Sequence, residues 1–245
     1  GNAKARGLGD VHNRQVTFIA AALMGLNASE YPTEDTEKAD KAIIVIDMQN
    51  DFVEPEGVLT VDGAKATIPA IQDLIKYGRE NKWKIIYIVR DHRTSGLDVD
   101  APRIPLFTDG KPGYCVPGTW GNAIVDGLTP EKDDLVVSKF RNSAFFNTQL
   151  DLILRRLGVK TVILAATQHP LCVRGTANDA MTYDYATLVS TDPRSSTPPH
   201  VPDTHIFHFL HIVILSIPLH HLQHTLKYPP SYSHLFSPSL TLFYH

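Results

Sequence analysis

Three side chains of reactive type stand at comparable places in this 245-residue chain. Asp47 closes one apolar run, Lys139 closes another, and Cys172 follows a third after a short turn. A carboxylate, an ammonium and a thiol brought together can make a nucleophilic hydrolase. The thiol is a weak nucleophile until ionised, and a helix N-terminus lowers its pKa by presenting unpaired N–H groups. The carboxylate accepts the thiol proton as general base. The ammonium anchors the carboxylate and stabilises the charged pair. Backbone N–H groups at the turn before Cys172 are placed to receive an oxyanion. Singly, each residue has an ordinary explanation. An Asp after a strand caps a turn, a Lys at a strand end is solvated, and a Cys in apolar surroundings is inert core. The combination carries the chemistry only if the chain brings all three to one place.

The surrounding pattern predicts that it does. Ala42–Asp47, Lys84–Val89, Leu135–Lys139, Thr161–Ala166 and Ala186–Ser190 are short apolar runs. Continuous apolar runs of this length read as strands buried on both faces. Between them, Ala64–Asn81, Thr148–Leu157 and Cys172–Tyr183 have helical spacing, with Gly158 set to stop the second. This alternation predicts an α/β fold: three layers, with helices on both faces of a mainly parallel sheet. Ligands in such sheets bind beyond the carboxyl ends of the strands, which is where Asp47, Lys139 and Cys172 fall.

Composition narrows the function classes. Hydrophobic residues make up 43%, charged residues 20%, and the formal charge is −3, giving no reason to expect nucleic acid or an acidic membrane as partner. No run is fit to span a bilayer: Val16–Leu26 is too short, and His205–Leu219 holds three histidines and Pro218. Two cysteines, Cys115 and Cys172, make neither a disulfide framework nor a zinc spacing. A catalytic thiol fits a reducing compartment, which favours the cytoplasm. Against that, Val16–Leu26 follows Lys4, Arg6 and Arg14, so it fits a targeting segment as well as an ordinary N-terminal helix.

Three regions result. Residues 1–40 form an extension with a charged linker, and 41–195 form the domain. Residues 196–245 hold nine of the 12 histidines but two charged side chains, Asp203 and Lys227. That His/Pro/Ser/Leu-rich stretch is expected to be a disordered tail foreign to the fold, similar to translated non-coding sequence.

Ile44–Phe52 (IVIDMQNDF) resembles the opening motif of the isochorismatase-like cysteine hydrolases, the nicotinamidase-related amidohydrolases. Ser138–Phe145 resembles their lysine motif, and Cys172–Ala180 the segment around their nucleophile. The resemblance covers roughly residues 41–195. It implies Asp47, Lys139 and Cys172 as a catalytic triad. It also implies a non-proline cis peptide at Thr167–Gln168, which with Cys172 shapes the oxyanion site. The mechanism it implies is attack on a small amide, carbamoyl or ureido carbonyl, loss of ammonia or an amine, and hydrolysis of a thioester. Relatives commonly assemble, so a homo-oligomer is compatible with it.

The departures are informative. His169 stands where the family usually has a small polar residue. Arg141 and Arg174 are candidate carboxylate-binding residues beside His169 as a substrate contact. Nicotinamidases carry an Asp-x-His and a later His as metal ligands, whereas Arg90–Asp100 offers His92 alone. The expectation is therefore no metal and no cofactor. Cys115 lacks a paired base and is read as structural. The closing helix expected after Ala186–Ser190 is not recognisable, which admits a second outcome: an inactive or unstable product acting at most as an interaction domain. A third outcome is vinyl-ether hydrolysis of the isochorismatase kind, against which the retained thiol argues.

Overall fold

Lys41–Ile46 (β1) is apolar at nearly every position because it lies inside a sheet, paired on both sides. In the computed structural model, residues 38–166, 169–191 and 215–218 are described, with the backbone alone for 169, 170, 191 and 215–218. The described elements fall in the unit Ala39–His245. The further strands are Lys84–Arg90 (β2), Leu135–Lys139 (β3), Thr161–Ala166 (β4), Ala186–Thr191 (β5) and Leu215–Pro218 (β6). All pair in parallel in the order β3-β2-β1-β4-β5-β6. Ile44 faces Ile86 on one side and Leu164 on the other.

The alternation of side chains splits β1 between two cores. Ile43 and Val45 pack with Ile71, Leu74 and Ile75 of the helix Ile68–Glu80 (α2). Ala42, Ile44 and Ile46 pack on the opposite face with Leu150–Leu157 (α3) and Arg174–Thr182 (α4). Helices thus cover both faces of the parallel sheet, as the strand-helix alternation predicts. Each buried Ile or Leu contributes roughly 1.5–3 kcal/mol. Asn50–Val53 forms one additional short helical turn, labelled α1. Among the described residues no helix is long and apolar enough to cross a membrane.

Two local rules decide the helix ends. Gly158 adopts φ 78, the left-handed conformation that glycine takes without penalty, and stops α3 where expected. The helix expected from Ala64 begins instead as a 3-10 turn, Ala64–Thr67, before α2 takes over at Ile68. Pro69 has no N–H to close an α-helical bond into that first turn.

Leu215–Pro218 lies in the stretch expected to stand apart, yet it pairs with β5 from Leu188↔Leu215 to Thr191↔Pro218. An edge strand presents unpaired N–H and C=O groups, and an apolar segment can take them up. Proline is tolerated because the segment is itself at the edge. The N-terminal run and the remainder of the His-rich stretch lie outside the described residues.

Candidate active site

Asp47 follows β1 directly with φ 55, a left-handed conformation that a short polar side chain tolerates better than most. Such a backbone state costs on the order of 1–3 kcal/mol and persists where surrounding structure fixes it. The Asp47 N–H donates to Ile88 O at 2.9 Å. The next residues act as clamps. Gln49 Nε2 donates to Arg90 O at 2.9 Å and to Asn122 O at 2.7 Å, while its Oε1 accepts from Arg90 N at 2.6 Å. Asp51 Oδ2 accepts from Cys115 N at 2.6 Å. A Cβ on Gly121 would lie 2.3 Å from the Asp51 carboxylate oxygens, so the loop needs glycine there. The opening motif therefore supplies one reactive carboxylate and a set of side chains that hold the long loop against it.

Lys139 ends β3 and is fully buried. Its Nζ donates to Asp47 Oδ2 at 2.8 Å and to Arg141 O at 3.1 Å, and it lies 3.5 Å from Cys172 Sγ. An ammonium has three donors, and all three are engaged. Asp47, Lys139 and Cys172 are each 1% exposed or less, so the structure brings the three expected residues into mutual contact inside the protein.

Cys172 does not open an α-helix, contrary to the helical spacing of Cys172–Tyr183. It sits in a π-helical turn, His169–Val173, that leads into α4. Such turns recur at functional sites because they re-aim side chains. The lysine and cysteine motifs interlock behind it: Thr176 Oγ1 donates to Cys172 O at 2.7 Å and accepts from Ala144 N at 3.0 Å. Burial, then the Asp47 carboxylate, pushes the thiol pKa up, while Lys139 and Arg90 pull it down. The net shift is upward, opposite to the lowering expected from a helix N-terminus. Desolvation of a sulfur anion outweighs the local N–H groups.

Sequence reasoning missed Arg90. It is the last residue of β2, directly beside Lys139 in the ladder, and is 2% exposed. Its Nη2 donates to Cys172 Sγ at 3.3 Å, to Arg141 O at 3.1 Å and to Asn142 Oδ1 at 3.3 Å. The rule that finds Lys139 at a strand end would have found Arg90, had the strand been read one residue further.

The secondary candidates fare differently. Arg141 is half-buried, and its Nη1 donates to the backbone carbonyls of Asp98 and Phe140. It lines a cavity of about 440 Å³ together with Asp100, Asn142, Gly175 and Asn178. Arg174 opens α4 and is half-buried. The Thr167–Gln168 peptide and the His169 side chain lie outside the described residues. Cys115 is fully buried in the loop, and burial pushes its thiol pKa well above the ordinary value.

His92 and Asp91 each have a partner within the protein, while His92 Nε2 has none among the described residues. His92 Nδ1 lies 3.3 Å from Asp98 Oδ1, and its ring meets Tyr114 and Phe107 edge-on. Asp91 accepts from Asn122 Nδ2 at 2.7 Å and from Ser138. No group of three His, Cys, Asp or Glu among the described residues could hold a metal ion. Burial, then the Arg90 charge, lowers the His92 pKa. The unfolded imidazole titrates near ~6.5, so the unfolded state binds the proton more readily. His92 should therefore contribute its stability fully above that pH and lose it as pH falls towards the folded value. Urea midpoints on either side of pH ~6.5 should fall on acidification, and by less in His92→Phe.

Known proteins share this arrangement of elements. A family model described as the Isochorismatase domain matches residues 41–210. A probable inactive nicotinamidase of Arabidopsis thaliana is 36% identical over 73% of this chain and 92% of its own length. The ureidoacrylate amidohydrolase RutB of Azorhizobium caulinodans is 30% identical over 62% of this chain and 75% of its own. Among solved structures, an isochorismatase family protein from Desulfovibrio vulgaris superposes with TM-score 0.72 at 39% identity, covering 77% of this chain and 98% of that one.

Proposed function

This chain belongs to the isochorismatase family, and on that premise we propose that it is a cysteine amidohydrolase cleaving a C–N bond of a small amide, carbamoyl or ureido compound. The observation that carries the reading is Lys139 Nζ, 2.8 Å from Asp47 Oδ2 and 3.5 Å from Cys172 Sγ, with all three side chains buried. Asp47 is the base, Lys139 its anchor and Cys172 the nucleophile.

The raised thiol pKa sets the order of events. At rest the sulfur holds its proton, so ionisation must accompany attack. Asp47 Oδ1 has no hydrogen-bond partner among the described residues and is the oxygen available to take that proton. Sulfur then bonds to the carbonyl carbon, and the oxyanion is received by N–H groups near the π-turn. The proton on Asp47 passes to the leaving nitrogen as the C–N bond breaks, giving ammonia or an amine and a thioester. Water, deprotonated by Asp47, attacks the thioester carbonyl; the C–S bond breaks, the acid product leaves, and Asp47 returns the proton to the thiolate.

The name of the Azorhizobium relative supports a ureido substrate. The engagement of Asp91 with Asn122 and Ser138, and the lack of three grouped His, Cys, Asp or Glu among the described residues, support a metal-independent reaction and disfavour nicotinamide. The Arabidopsis relative is named a probable inactive nicotinamidase; in this chain Asp47, Lys139 and Cys172 are all present and in contact. Ammonia release from a panel of small amides and ureido acids tests the reading. Turnover of at least one member, abolished by alkylation of Cys172, is expected. A folded protein with no turnover across the panel and no labelling of Cys172 would overturn it.

A further inference from the structure

We propose that Arg90 is a further catalytic residue of this site: its guanidinium, 3.3 Å from Cys172 Sγ, stabilises the thiolate left when the sulfur proton moves to Asp47. The inference rests on the amidohydrolase reading for its purpose, but its geometry stands alone.

The charges explain why a second cation is useful. At rest Asp47 and Lys139 neutralise one another at 2.8 Å. When the proton leaves sulfur for Asp47, the electron pair stays on sulfur and Asp47 becomes neutral. The anion has then moved from Asp47 to sulfur, but Lys139 remains tied to Arg141 O and is 3.5 Å from Sγ. Arg90 Nη2 is nearer to sulfur, and its two hydrogens are shared among Cys172 Sγ, Arg141 O and Asn142 Oδ1, which keeps the positive nitrogen beside the sulfur. A planar guanidinium whose Nη2 is bonded to the 141–142 loop is less free to swing away than an ammonium.

Burial points the same way. Arg90 is 2% exposed, and its Nε and Nη1 have no hydrogen-bond partner among the described residues. Its far side meets Asp100 Oδ1 only at 3.7 Å. A buried guanidinium so incompletely satisfied is costly, and clamping the 141–142 loop would need only polar donors, not a charge. Among described residues, the charged groups facing the thiol are Asp47 after β1, Arg90 at the end of β2 and Lys139 at the end of β3. Those facing Arg90 are Asp47, Cys172, Tyr114 and Asp100; burial opposes its charge most strongly, but together these groups outweigh it.

The test is the pH dependence of Cys172 alkylation by iodoacetamide in the full chain, with the modified peptide quantified by mass spectrometry. It needs no substrate, so failure to find a turned-over amide leaves it intact. Arg90→Gln keeps a polar amide in the buried site but removes the charge. Its midpoint should rise by about one pH unit or more, and Arg90→Lys should recover part of that rise. Asp100→Asn, at the quarter-exposed far end of the guanidinium, covers the case in which Arg90→Gln does not fold. Relieved of that countercharge, Arg90 should draw the midpoint down. An unmoved midpoint in a folded Arg90→Gln, or in Asp100→Asn if the former does not fold, would overturn the proposal and leave Arg90 a clamp.

Discussion

Lys139→Met should be the most damaging single change in this protein, lowering unfolding free energy by about 3–5 kcal/mol and abolishing turnover. The ammonium is wholly buried and bonded to Asp47 at 2.8 Å. Methionine fills similar volume, so packing is largely kept and the loss is electrostatic. What remains is a buried carboxylate without its direct cation. Arg90 lies close enough to compensate in part, which places the expected loss towards the lower end of that range. Total stabilities of domains this size are about 5–15 kcal/mol, so the variant should still fold at low temperature. Urea unfolding gives the number. The double variant Asp47→Asn/Lys139→Met should regain much of the stability and none of the activity, because it removes the orphaned charge together with the base.

Cys172→Ala should behave in the opposite sense. Turnover should fall by a factor of about 10⁴ or more, the scale seen when a nucleophile is removed from a cooperating set. Stability should change by only about 1 kcal/mol, since one buried sulfur is lost and the Asp47–Lys139 pair stays whole. Cys172→Ser is the sharper form of the experiment: the hydroxyl fits, but Asp47 cannot readily ionise an alcohol. Activity against melting temperature separates the two variants from Lys139→Met. An Asp47–Lys139 pair that still turned over substrate without the thiol would point to vinyl-ether chemistry instead.

Much of the site is written in the amino-acid sequence, and the part that is not has physical causes. Leu135–Lys139 and Thr161–Ala166 are legible to the residue, because their apolar runs admit no charge until they end. Asp47 and Lys139 are legible for the same reason: a charge at the end of such a run has to be either solvated or paired. Arg90 ends an equally apolar run, but a fully buried arginine runs against ordinary expectation, and its partners are 51, 52 and 82 positions away. The environment of Cys172 is illegible for a related reason. Local N–H groups are visible in sequence, whereas the desolvation that outweighs them comes from tertiary packing. Asp51 illustrates a third limit. The motif marks it as special, yet its work is to hold the Cys115 N–H, a partner set by a loop whose path no periodicity reveals.

The strand order carries one more consequence. Asp47 follows β1, Lys139 ends β3 and Cys172 sits in the turn after β4, and β2 lies between β1 and β3 in the sheet. No hairpin or helix pair brings two of the three together, and β2 and β1 lie between β3 and β4, the strands that lead to Lys139 and Cys172. Competence of the proposed triad is thus a non-local property, bound to the joint pairing of β3, β2, β1 and β4. Partial opening of that part of the sheet erases it completely, while fraying elsewhere leaves it untouched. Under denaturant, activity should therefore report on the pairing of these four strands and disappear no later than the global transition.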